Sequence, residues 1–127
     1  MSRRVLVIDD DAATRERIGT MLQEAGHCVE LIADGGEALR RLDHDRPDLI
    51  LLDLVMPVVD GMAFLVQRRN TAGARDIPVT SAMADAARLL VGTLGVRAAL
   101  IKPLEPAHLL ETMETVLRDS QSQASSA

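Results

Sequence analysis

Short uninterrupted apolar runs alternate along the chain with longer segments whose apolar positions recur every three or four residues. That alternation predicts consecutive β/α units around a parallel sheet. Val5-Leu6-Val7-Ile8 has no polar interruption, as a strand covered on both faces requires. Over residues 12–25, Ile18, Met21, Leu22 and Ala25 recur at helical spacing, and Gly26 supplies the stop. Residues 28–33 interleave Glu30 with apolar neighbours and predict an edge strand. Helical period returns over 37–42 through Ala38, Leu39 and Leu42, and Pro47 closes the loop behind it. Leu49-Ile50-Leu51-Leu52 is the most apolar run and predicts the central strand. A third helix over 61–69 buries Phe64 and Leu65, and a polar loop over 70–76 follows it. Ile77-Pro78-Val79-Thr80-Ser81 predicts a short fourth strand, residues 85–94 a fourth helix stopped by Gly95, and Ala98-Ala99-Leu100-Ile101 a fifth strand. A last helix carries Leu109, Leu110, Met113, Val116 and Leu117 on one face. The pattern predicts one α/β domain over residues 1–119, with five strands and five helices. Residues 120–127, only Ser, Gln and Ala, predict a disordered tail.

A length of 127 residues suits a single domain, and an apolar share of 47% is enough to build its core. Phe64 is the only aromatic residue, so burial must be aliphatic. The lone cysteine, Cys28, excludes a disulfide framework and a cysteine-rich zinc module, and fits a reducing compartment. A net charge of −5 and the absence of stacking aromatics argue against a nucleic-acid-binding surface. No apolar run approaches the ~18 residues of a membrane span. The basic start, Met1 to Arg4, precedes an apolar stretch too short for a signal peptide. The expectation is a cytoplasmic protein that engages neither membrane nor nucleic acid.

In an open parallel sheet, ligands bind at the carboxyl ends of the strands. The first strand is followed there by Asp9-Asp10-Asp11, the third by Asp53, the fourth by Thr80-Ser81 and the fifth by Lys102-Pro103. Crowded carboxylates repel one another unless a cation joins them, and an oxygen-only donor set points to Mg²⁺, with Mn²⁺ possible, rather than to zinc. A carboxylate beside such an ion can attack a phosphoryl group. The charge on the transferred group is then shared among the cation, the Lys102 ammonium and a hydroxyl.

Val7-Ile8-Asp9-Asp10, Asp53-Leu54-Val55-Met56-Pro57-Val58-Val59-Asp60-Gly61, Ser81-Ala82 and Lys102-Pro103 occur in that order within residues 3–118. Together they resemble the receiver domain of bacterial two-component response regulators, of the stand-alone, chemotaxis-regulator-like kind. The resemblance implies a flavodoxin-like, doubly wound sheet in the order 2-1-3-4-5. It implies that Asp53 accepts the phosphoryl group and that Asp10, Asp53 and the Val55 backbone carbonyl hold Mg²⁺, with Asp9 acting through water. Lys102 would bridge to the phosphoryl group, Ser81 would move toward it, and the Lys102-Pro103 bond would be cis. The implied donor is a sensor histidine kinase or a histidine phosphotransfer protein, and the implied reader a downstream protein target. Such a chain is a monomer or weak homodimer, and a regulatory acceptor that assists its own phosphorylation and dephosphorylation rather than an enzyme.

Three features depart from the family pattern. Only Val79 and Thr80 lie between Pro78 and Ser81, so either strand four begins before Pro78 or Thr80 carries the hydroxyl; a Ser-Ala step leading into a helix favours Ser81. Where relatives place an aromatic three residues before the lysine, this chain has Ala99, which has no rotamer to change. Val55 and Met83 cannot orient an attacking water by hydrogen bonding, which implies a slowly decaying phospho-state. Two other functions compete. One is a Mg²⁺-dependent phosphatase using Asp53, against which Val55 stands where a second acid is needed. The other is an interaction module that does not require phosphate.

Other polar residues have simpler expectations. Asp11, with Thr14, caps the first helix, and Asp60-Gly61 forms a turn and helix start. Gly35-Gly36 is expected as loop, Cys28 as a small packed side chain, and His27, His44 and His108 as surface residues. Arg40-Arg41 and Arg68-Arg69 are expected on solvated faces or partner contacts. The initiating Met and the Ser/Gln tail favour a stand-alone chain over a piece of a longer regulator.

Overall fold

The computed structural model describes residues 2–44, 46–53, 61–69, 79–82, 96–100 and 105–125. Its elements, in chain order, are β1 (Arg4–Ile8), α1 (Ala12–Glu24), β2 (Cys28–Ile32), α2 (Gly35–Leu42), β3 (Leu49–Asp53), α3 (Gly61–Arg69), β4 (Val79–Ala82), β5 (Val96–Leu100) and α4 (Pro106–Ser125). The helix predicted over 85–94 lies outside the described residues, as do Val55, Asp60, Met83, Lys102 and Pro103. The strands form one sheet in the order β2-β1-β3-β4-β5, with every neighbouring pair parallel. The most apolar run therefore sits in the middle and the Glu30 strand at an edge.

Continuous apolar strands follow from having helices on both faces of the sheet. Val5, Val7, Leu49 and Leu51 pack with Ile18 and Leu22 of α1 and with Leu109, Met113, Val116 and Leu117 of α4. Leu6, Ile8, Ile50 and Leu52 point the other way, onto Ala38 and Leu42 of α2 and Phe64 and Leu65 of α3. Phe64 is fully buried, and the rest of the core is aliphatic.

Local chemistry sets the helix ends. Asp11 caps α1 by accepting from the Thr14 N–H at 2.9 Å, and the Thr14 hydroxyl donates to the same oxygen. The helix closes with Gly26 at φ +93°, its N–H donating to Gln23 O at 3.0 Å while the His27 N–H donates to Leu22 O at 3.0 Å. These two bonds form a Schellman motif, and a positive φ there favours glycine. Gly19 lets α1 close on the sheet, because a Cβ at that position would lie 3.1 Å from Leu31 Cδ2.

Several expectations are corrected. Gly35-Gly36 is not loop but the first turn of α2, because Asp34 caps it by accepting from the Glu37 N–H at 2.8 Å. Arg68 is not solvated: it is 1% exposed, because helical spacing places it on the same stripe of α3 as Phe64 and Leu65. Cys28 is exposed rather than packed, as the first residue of an edge strand. His27 is half-buried, with Nδ1 accepting from the Arg3 N–H at 3.1 Å, whereas His44 and His108 are exposed. β4 is described over Val79–Ala82, which takes in Thr80 and Ser81, while Ile77 and Pro78 lie outside the described residues. α4 continues past residue 119 to Ser125; the added stretch has no Gly or Pro, and Gln and Ala are good helix formers.

Candidate functional site

Ile8 pairs with Leu52, so β1 and β3 carry the chain side by side to the rim where Asp9 and Asp53 stand. Asp9 comes directly after β1 and is 2% exposed, while Asp53 ends β3 and is 6% exposed. Asp10, at the bend after β1, is exposed. One carboxylate oxygen from each of Asp9, Asp10 and Asp53 can be chosen so that all three lie within 4.8 Å of one another. The structure thus gathers three sequence-predicted acids, two set into the rim and one open to solution.

Asp9 is fixed from three directions. Its N–H donates to Ile32 O at the end of β2, at 3.1 Å. Its Oδ1 accepts from the Asp11 N–H at 2.9 Å, and its main-chain oxygen accepts from Arg15 Nη1 at 2.8 Å. The β1–α1 turn is therefore tied to the neighbouring strand, to itself and to the second turn of α1. Asp11 turns away from the cluster to cap its helix.

The sheet register places the hydroxyl candidates. Ala82 is level with Asp53, Ser81 with Leu52 and Thr80 with Leu51, so Ser81 stands one step below Asp53 and Thr80 two. On its other side Ser81 is the register partner of Ala99 in β5. Val55 and Lys102, the remaining predicted site residues, lie outside the described residues.

Three carboxylates without imidazole or thiolate form a donor set for a hard divalent cation. At this spacing like charges repel, and a divalent ion converts the repulsion into attraction. Sequence reasoning missed Arg15, which the periodicity presents only as a polar position of α1. The available signal was directional: helical side chains lean toward the helix N-terminus, so a long cation in the second turn can reach back over the acidic turn.

Comparison with known proteins agrees with this architecture. A family model described as the response regulator receiver domain matches residues 5–114. The chain is similar to the response regulator MprA of Mycobacterium ulcerans, with 40% identity over 119 residues, covering 93% of this chain and 51% of that protein. It therefore spans about half the length of the curated relatives it matches. Among solved structures, it is similar to the chemotaxis protein CheY4 of Vibrio cholerae, with a TM-score of 0.83 and 31% identity, covering 91% of this chain and 99% of that one. It is also similar to the receiver domain of a sensor histidine kinase from Pseudomonas aeruginosa PAO1, with a TM-score of 0.82 and 28% identity, covering 92% of this chain and 98% of that one. That structure holds a magnesium ion coordinated in its active-site cleft.

Proposed function

The chain belongs to the response regulator receiver domain family, and from that premise we propose that it is a phosphorylation switch whose acceptor is Asp53. The observation that carries this reading is the convergence of Asp9, Asp10 and Asp53 at the carboxyl end of the central strands, with Asp53 ending the middle one. An Asp53 carboxylate oxygen attacks the phosphorus of a phosphohistidine. An O–P bond forms as the N–P bond breaks, and the electron pair returns to the imidazole nitrogen.

The donor set fits Mg²⁺, and Mn²⁺ shares the same preference for oxygen. In this reading Asp10, Asp53 and the Val55 carbonyl hold the ion and Asp9 acts through water. When bound, it offsets negative charge on the phosphoryl oxygens. Lys102 supplies a second positive charge and Ser81 the hydroxyl. The register supports Ser81 over Thr80, since it is the nearer of the two to the level of Asp53.

The proposed donor is a sensor histidine kinase or histidine phosphotransfer protein, and the proposed reader a downstream protein. The expectation that no nucleic acid is bound concerns this chain's own acidic surface, since the matched relatives extend well beyond it. Among the described residues no helix is long and apolar enough to cross a membrane, which fits the cytoplasmic location proposed. We place the receiver domain at residues 1–119, because among the residues of α4 whose side chains are described Leu117 is the last buried one and Arg118 and Asp119 after it are exposed.

Incubation with acetyl phosphate and Mg²⁺, followed by intact mass measurement, tests the reading. The expected result is a gain of one phosphoryl group, absent in Asp53→Ala and absent in EDTA. Turnover of acetyl phosphate without an adduct replaces the switch with a phosphatase. Absence of any reaction leaves an interaction module instead.

A further inference from the structure

Arg15 lies in the second turn of α1, its N–H bonded to Asp11 O at 2.9 Å, and its side chain runs back over the helix start. Nη1 meets the main-chain oxygen of Asp9 at 2.8 Å. Guanidinium carries five donors in a rigid fork, so the contact is directional. It lands on the carbonyl through which the chain passes from Asp9 to Asp10, the peptide that sets how those two carboxylates stand to each other. The N–H of Asp9 is held by Ile32 O and its Oδ1 by the Asp11 N–H. Arg15 thus adds a side-chain contact to a turn that the sheet and the turn's own bonds hold at other atoms.

We propose that Arg15 is a positioning residue for divalent-cation binding at the Asp9–Asp10–Asp53 cluster, acting through the Asp9 carbonyl. The inference rests on the cation-binding part of the reading above. Charge and position make opposite demands here, which fixes the sign of the test. If Arg15 acted only as a positive charge near three carboxylates, its removal would tighten cation binding. If it holds the turn, its removal weakens binding, as the loss of outer contacts around metal ligands does.

The test is calorimetric titration of Mg²⁺ into wild type, Arg15→Met and Arg17→Met. Methionine keeps much of the arginine stem without its donors. Arg17 is an exposed arginine on the same helix, so its replacement removes an equal charge without touching the turn. The expected result is Mg²⁺ affinity roughly tenfold weaker in Arg15→Met and unchanged in Arg17→Met. Equal or tighter binding in Arg15→Met, or an equal loss in Arg17→Met, overturns the inference. A second readout uses metal-free protein: the Asp11 amide, bonded to Asp9 Oδ1, should exchange faster in Arg15→Met, and an unchanged rate overturns the proposal too. Failure of the wild type to bind Mg²⁺ counts against the cation site itself, while the metal-free exchange still decides the role of Arg15.

Discussion

Three carboxylate oxygens within 4.8 Å repel pairwise by on the order of 1 kcal/mol in water-like surroundings and several times that where solvent is excluded. Asp9 and Asp53 are nearly buried, so the metal-free fold carries this repulsion where screening is weak. Asp53→Asn keeps the side chain's shape and removes one of the charges. In EDTA its melting temperature should therefore rise by several degrees, the shift about 1 kcal/mol produces in a domain of this size. Ligand binding to the folded state raises the melting temperature of the wild type in Mg²⁺, and that increment should shrink in Asp53→Asn. Thermal unfolding in EDTA and in Mg²⁺ measures both quantities. A variant that melts below wild type in EDTA would show that Asp53 is held by attraction rather than strained by its acidic neighbours.

Helix ends show how one side chain governs an element. Asp11→Ala removes the oxygen that accepts from the Thr14 N–H, and urea unfolding should show a loss of about 1 kcal/mol. Mg²⁺ affinity should survive, because Asp11 meets Asp9 through its main-chain N–H. In α2 the Arg40 guanidinium donates to Glu37 and, with help from Arg41, holds its carboxyl below the ordinary 4.5. Arg41 also pairs with Glu30, tying α2 to β2. A carboxylate with a lowered folded pKa adds stability above its unfolded pKa and loses it as pH falls through the folded one. Glu37→Gln should accordingly flatten the stability curve slightly below pH 4.5, an effect that added salt abolishes because the group is exposed. Such local chemistry also decides what the sequence could reveal. Strand runs such as 49–52 were legible because burial on both faces leaves no polar position, and Asp53 because it comes directly after one. Gly35-Gly36 was not, since glycine disfavours helix and only the cap at Asp34 reveals the turn. Arg68 was hidden for the opposite reason: its charge predicts solvent, while its spacing from Phe64 and Leu65 places it inside.

Across the molecule, the sheet register connects Asp53 to its neighbouring strands. Ser81 is level with Leu52 on one side and with Ala99 on the other, so β4 links the rim of β3 to β5 in a single register row. Ala99 is half-buried against the core cluster that includes Phe64 and Leu65, and it has no side-chain torsion to change. A phosphoryl group on Asp53 that draws on Ser81 can therefore move β4 and the segment C-terminal to it, but cannot be relayed by rotation at residue 99. Sub-ångström shifts become large responses only where an element has two discrete arrangements, and an alanine methyl provides none. Amide exchange on phosphorylation should therefore change mainly over residues 81–90 and little over Val96–Leu100. Mass-resolved exchange with and without acetyl phosphate, in Mg²⁺, measures it. Equal change in both segments would mean that β5 moves as a backbone unit, with Ala99 permitting the shift because it is small.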